Sequence, residues 1–252
     1  MSAFMDSHCH LDFAQFDTCR EQEIAKALAL GVQKIMVPGV KAATWPALIT
    51  LCKQQPQLDY ALGLHPYFLA DFQQAHLGQL DRRLTEERPA ALGEIGLDAC
   101  VDIPMALQLF VFRAQIALAR KHQLPLILHQ RKTASNLLAE LKSFPYGGVL
   151  HAFSGSYEMA MAFIDKGFKL GIGGVITYER AAKTRATLAR VPLEALVLET
   201  DAPDMPLANQ TGGVNTPQNI PLIFDALCQL RPEPAEQIKQ VIWQTSQSLF
   251  QR

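Results

Sequence analysis

The residues best suited to chemistry in this chain are histidines and carboxylates, set in short runs between long apolar stretches. His8 and His10 stand two apart in Asp6-Ser7-His8-Cys9-His10. On an extended strand, residues two apart project from the same face. Both imidazoles therefore aim at one region, and Cys9 packs on the other side. Neutral imidazole is the commonest side-chain ligand for zinc and similar ions, so two from one rigid strand form half of a coordination shell. An isolated His-x-His is more often structural, but this one has company. Glu94 lies in Gly93-Glu94-Ile95-Gly96-Leu97-Asp98, His129 in His129-Gln130-Arg131, His151 in His151-Ala152-Phe153-Ser154-Gly155, and Asp201 in Glu199-Thr200-Asp201. Six such groups exceed the three or four that one catalytic ion takes while keeping a position open. Two ions about 3.5–4 Å apart, sharing a bridging carboxylate, fit the number better. Glu94 and Asp201 are the candidates for the bridge.

These residues need a scaffold that brings distant strand ends together. Candidate strands are Ala3–His8, Lys34–Pro38, Tyr60–His65, Ala90–Ile95, Leu126–His129, Val149–Ala152, Lys169–Gly173 and Leu196–Glu199. Between them lie amphipathic stretches such as Glu21–Leu30, Trp45–Gln54, Pro104–Lys121, Ala134–Lys142 and Tyr157–Lys166. In the third of these, Asp102 is placed to cap the first turn, which Pro104 suits. The apolar stripe is then Leu107, Phe110, Val111, Ala114 and Leu118. Two more helical patterns, Pro217–Leu230 and Ala235–Leu249, close the chain. Strands alternating with helices imply parallel pairing, since parallel neighbours need long crossovers. Eight of them in 252 residues predict an α/β fold, a (β/α)8 TIM barrel forming one domain over residues 1–252. In such a barrel catalytic groups sit at the carboxyl ends of the strands. Each run above falls at such an end, and His65, in Gly63-Leu64-His65-Pro66, falls at another.

The charge at that rim points to a substrate. Two divalent ions bring four positive charges, and Glu94 with Asp201 remove two. The remainder suits an anionic group such as a phosphodiester, although Asp6, Asp98, Glu199 and Asp204 nearby would reduce it. Arg131, two residues after His129, is a candidate phosphate clamp, and His65 is either a substrate contact or a turn residue. Lys132 faces away, and His76 and His122 read as ordinary surface residues. Gly171-Ile172-Gly173-Gly174 either admits a ligand or thins a crowded barrel end. No Gly-x-Ser-x-Gly, His-Glu-x-x-His or P-loop pattern is present, which removes the serine-hydrolase, zincin and P-loop classes.

Composition sets the outer bounds. Lys and Arg number 23 against 24 Asp and Glu, 19% of residues are charged, and 49% are hydrophobic, as in an ordinary globular protein. This is no basic nucleic-acid platform, so long-range capture of DNA is weak and any footprint short. Cys9, Cys19, Cys52, Cys100 and Cys228 are scattered without a Cys-x-x-Cys, which fits reduced thiols. The start of the chain has no signal-peptide pattern and no stretch is long enough to span a bilayer. A cytoplasmic monomer without membrane contact is the expectation.

Taken together, the blocks Asp6–Asp12, Gly63–Pro66, Gly93–Asp98, His129–Arg131, His151–Ser156 and Glu199–Pro203 resemble the TatD family of metal-dependent deoxyribonucleases, in family order. Ile176-Thr177-Tyr178, Lys183-Thr184-Arg185 and Asp201–Pro206 look closest to its bacterial YjjV branch. The resemblance implies a TIM barrel with two divalent ions, of which zinc, manganese and magnesium are candidates. It implies one ion on His8, His10, Glu94 and Asp201, and another on Glu94, His129 and His151, with Glu94 bridging. Asn215-Thr216-Pro217 lacks the family's Glu between Asn and Pro, and Thr245–Phe250 lacks its Asn before Leu-Phe. The expected activity is hydrolysis of a DNA or other nucleic-acid phosphodiester, with Asp201 and Glu94 catalytic. Hydrolysis of amides, esters or lactones, including aminoacyl esters, is the alternative. Many barrels of that kind bridge their metals with a modified lysine on strand four, where this chain has Glu94. A metal-bound interaction module without activity is the remote third reading.

Overall fold

The computed structural model describes residues 3–250. Eight strands pair in parallel and in chain order: β1 (Phe4–Asp6), β2 (Val32–Pro38), β3 (Leu58–Leu62), β4 (Ala91–Asp98), β5 (Leu126–Arg131), β6 (Gly148–Leu150), β7 (Phe168–Ile172) and β8 (Leu196–Leu198). Helices fill the crossovers: α1 (Arg20–Ala29), α2 (Trp45–Gln54), α3 (Gln74–Glu87), α4 (Met105–His122), α5 (Ala134–Glu140), α6 (Tyr157–Ile164) and α7 (Ala182–Leu188). Then α8 (Ile220–Cys228) and α9 (Ala235–Phe250) follow β8. This is the predicted TIM barrel. The sheet curls round until β1 and β8 meet, and the seam is held at the rim just past both strands. Ser7 N–H donates to Leu198 O at 2.9 Å, Asp201 N–H to His8 O at 2.8 Å, and His10 N–H to Ala202 O at 2.7 Å. The chain thus stays extended through His8 and His10 although β1 formally ends at Asp6.

Two apolar layers result from strand alternation. Phe4, Ile35, Leu62, Leu92, Leu126, Leu128, Leu196 and Leu198 pack outward against helix residues such as Trp45, Leu48, Leu80 and Val111. Met5, Met36, Ala61, Ala91, Ile127, Val149 and Val197 fill the barrel axis, and Phe250 of α9 packs onto them. In β4 the pairing register with β5 shifts between Leu92 and Ile95. Such a bulge re-aims the residues that follow. Ile95 and Leu97 join the outer layer, while Glu94 and Asp98 face the cavity at the barrel mouth.

Helix α4 departs from its sequence reading. Pro104 occupies the position before its first turn, no side chain caps it, and Asp102 is exposed. The buried face carries Gln108, Val111, Phe112, Gln115, Ile116 and Ala119, whereas Phe110 is 49% exposed. The stripe is rotated by one position because two glutamines point inward. Gln115 receives Leu64 N–H at 2.7 Å and donates to Leu64 O at 3.1 Å. Gln108 brackets Asp98 in the same way, at 2.8 and 2.9 Å. Buried backbone groups need partners, and these amides supply them to the two strand ends that hold His65 and Asp98. His122, read as a surface residue, is largely buried at the end of α4 and lies 2.7 Å from Asp81. His76 closes the first turn of α3 by accepting from Gln73 N–H.

Candidate metal centre

The polar ends of β1, β3, β4, β5, β6 and β8 converge on one cavity of about 410 Å³ at the carboxyl end of the barrel. Glu94 lies at its centre, and its two oxygens face different partners. Oε2 is 3.2 Å from His8 Nε2 and 3.5 Å from His10 Nε2. Oε1 is 2.8 Å from His151 Nε2, 3.3 Å from His129 Nδ1 and 3.2 Å from His65 Nε2. Asp201 Oδ1 adds to the first group, 3.5 Å from His8 Nε2 and 3.8 Å from His10 Nε2. All six residues read as ligands from sequence are therefore brought together, and so is His65. Cys9 is buried in the apolar core, as expected.

The donor set fits metal ions. His8 Nε2 and His10 Nε2 lie 3.2 Å apart with both rings buried. Two such lone pairs face one another only if a proton or a cation lies between them. Three groups of ligand atoms are close enough to share an ion: His8, His10 and Asp201; His65, Glu94 and His129; and His8, His151 and Glu199. Electrostatics agree. Burial pushes the Glu94 carboxyl up, but His151, His65, His8 and His10 outweigh it and hold the group well below the usual carboxylate range. Burial opposes protonation of His151, yet Glu94 more than compensates and moves it up to about 10. His10 is raised for the same reason, against its burial, while burial drives His8 well below its ordinary value. A proton on His151 thus supplies part of the positive charge that a cation would bring.

Outer groups fix the rings. Asp98 Oδ2 is 3.0 Å from His129 Nε2, so that nitrogen carries the proton and Nδ1 is left to face Glu94. His65 Nδ1 accepts from Tyr67 N–H at 3.0 Å. Its proton is then on Nε2, which makes His65 a donor toward Glu94 or a substrate rather than a ligand. Glu199 is fully buried, accepts from Ala152 N–H and lies 3.8 Å from His151 Nδ1. Burial raises its pKa to about 8. A side chain at Gly171 would come within 2.0 Å of Glu199 Oε2, so this glycine makes room for a carboxylate and not for a ligand. Asp6 anchors the seam through His8 N–H, Thr200 N–H and the Thr200 hydroxyl. Asn215 ties the loop after β8 to Thr200 O and Met205 O. Asp201 itself has a left-handed backbone, φ 57°, held by its N–H bond to His8 O; such backbone concentrates at functional sites.

Arg131 is exposed at the cavity edge, and its guanidinium has no protein partner among the described residues. Lys132 is exposed outside the cavity. Sequence reading missed Gln108 and Gln115, although two glutamines seven apart on an apolar stripe were a signal. It also counted Asp98 and Glu199 only as charge.

A sequence model of the TatD-related DNase family matches residues 5–251. The chain is 43% identical over 253 residues to the uncharacterized metal-dependent hydrolase YjjV of Escherichia coli K12, covering 98% of this chain and 97% of that one. The crystal structure of YjjV has a TM-score of 0.95 to this fold, covering 99% of this chain and 98% of that chain. The 3′-5′ ssDNA/RNA exonuclease TatD of Salmonella typhimurium is 27% identical over 257 residues, 98% of each chain. The fold, the convergent ligand cluster and the near full-length match agree: the chain belongs to the TatD-related DNase family of metal-dependent hydrolases.

Proposed function

We propose that the protein hydrolyses phosphodiester bonds at the ends of single-stranded nucleic acid, using two divalent ions. The observation that carries this reading is the division of Glu94, one oxygen toward the His8–His10 pair and the other toward His129 and His151. A carboxylate so placed suits two ions. His8, His10, Glu94 and Asp201 would hold one, and Glu94, His129 and His151 the other. Mixed imidazole and carboxylate sets accept zinc, manganese or magnesium. Such ions supply Lewis acidity, acidifying water and placing positive charge at a phosphoryl oxygen.

The chain's own residues do the rest. Asp201 keeps 14% of its side chain exposed to the cavity and accepts the proton of the attacking water. Burial raises its pKa, which makes it a better base than a free aspartate. Arg131 donates to non-bridging phosphate oxygens, and His65 Nε2–H orients the same group. Asp98 holds the ring of His129. Near-zero net charge limits capture to the few phosphates at the mouth, so binding is short in footprint and only mildly salt-dependent. The exonuclease name of the Salmonella relative supports the choice of substrate.

The test is hydrolysis of end-labelled single-stranded DNA beside an aminoacyl ester, with added magnesium, manganese or zinc. DNA turnover that falls at least about 100-fold in Asp201→Asn supports the reading, since general-base loss costs about that much. Ester turnover with no phosphodiesterase under any metal overturns it.

A further inference from the structure

The cavity lining includes three aromatic rings, of which Phe13 stacks on His10 and Phe68 meets His65, while the Tyr67 ring contacts no histidine of the cluster among the described residues. Phe13, Val40, Tyr67 and Phe68 line the cavity together with Asp98, Asp201 and Asp204. Tyr67 is 63% exposed, an unusual state for a large aromatic side chain beside a deep polar site. Phe110 and Tyr146 are also exposed, but neither lines this cavity. Tyr67 is anchored through its backbone. Its N–H donates to His65 Nδ1, and its ring meets Phe68 edge-on, with centroids 5.0 Å apart at 73°. The outer face of the ring is left open. Two cations belong to the same mouth: the Lys41 ammonium lies 5.5 Å from the centroid of Phe68, the ring that Tyr67 meets, and Arg131 lines the cavity. Neither has a carboxylate partner among the described residues.

We propose that Tyr67 is the stacking platform for the unpaired base beside the scissile phosphodiester, with Lys41 and Arg131 engaging the adjoining phosphates. The role rests on the nucleic-acid reading of the same site. An open aromatic face next to free cations matches a planar base joined to an anion. Every base offers such a face, so the platform tolerates any sequence. In a duplex the base is already stacked on its neighbours, so the platform selects single strands. The link from the Tyr67 backbone N–H through His65 to Glu94 ties the Tyr67 backbone to the reacting centre, and the contact with Phe68 orients the ring.

The test uses the manganese-loaded enzyme and two single-stranded oligonucleotides. One is unmodified, and the other carries abasic residues at the two terminal positions of each end. The readout is the ratio of their kcat/KM values. Stacking is worth about 5- to 150-fold per base, so the wild-type enzyme is expected to favour the unmodified strand by about that factor. In Tyr67→Ala the ratio falls to near one, and Tyr67→Trp preserves it. Tyr67→Leu keeps the apolar bulk without the ring face and follows the alanine variant. The proposal is overturned if the wild-type ratio is near one, or if Tyr67→Ala and Tyr67→Leu retain the wild-type ratio. No cleavage of either strand by the metal-loaded wild-type enzyme overturns the phosphodiesterase reading, and this one with it.

Discussion

Asp98 Oδ2 lies 3.0 Å from Nε2 of His129, and the opposite nitrogen of that ring lies 3.3 Å from Glu94 Oε1. A carboxylate on the far side of an imidazole fixes its tautomer, sets its orientation and raises its basicity as a ligand. The second oxygen of Asp98 is engaged as well, accepting from Cys100 N–H at 2.7 Å. Asp98 therefore positions His129 from the end of β4. Asp98→Ala is expected to weaken metal binding by about 10- to 100-fold, with Asp98→Asn intermediate. Competition titration with a chromophoric chelator reads this directly, and an affinity equal to wild type would remove the positioning role.

Among the described residues, Glu94 is the one carboxylate in contact with every histidine of the cluster. Glu94→Ala is expected to lose bound metal, measured by elemental analysis after reconstitution and desalting. Loss of one partner also leaves the buried positive groups uncompensated, a cost of about 3–5 kcal/mol. Urea denaturation of both metal-free proteins at pH 7 should show it. Equal metal content in the variant and the wild type would count against the site.

Metal binding must displace protons, because His151 titrates at about 10 in the metal-free protein and His10 is raised as well. Below about 10 the apo site holds the His151 proton, and a ligand nitrogen must lose its proton to bind an ion. Affinity for zinc should therefore rise with pH between 6 and 8, by about tenfold per unit for each proton released. Calorimetry in buffers of different ionisation enthalpy measures the release. A pH-independent affinity would show that those imidazoles are already neutral.

Gln115 pairs with both backbone groups of Leu64, one residue before His65. Gln115→Leu keeps the volume and leaves a buried N–H and a buried C=O without partners. Each costs about 1–3 kcal/mol, so a loss of roughly 3 kcal/mol is expected in urea unfolding. The strand end carrying His65 should loosen, raising KM for the substrate more than it lowers kcat. A stability change under about 0.5 kcal/mol would mean that water or a neighbour replaces the amide.

Local pattern alone was enough to place the strands, the barrel and the polar runs at one end of it. Alternation and helical periodicity follow from the geometry of each element, which neighbouring residues in the chain already express. The six ligand candidates were legible for the same reason, since a barrel must bring all strand ends to a common rim. Several features were decided only by packing across the molecule. Gln115 meets Leu64 across 51 positions, and the two inward glutamines rotate the buried face of α4 away from Phe110. The register shift in β4 swings Glu94 and Asp98 inward, against simple alternation along the strand. The Tyr67 N–H bond makes His65 a donor, which no spacing shows. Side-chain bonds to distant backbone and shifts of strand register depend on three-dimensional neighbours. They leave no period in the chain, so only the folded structure reveals them.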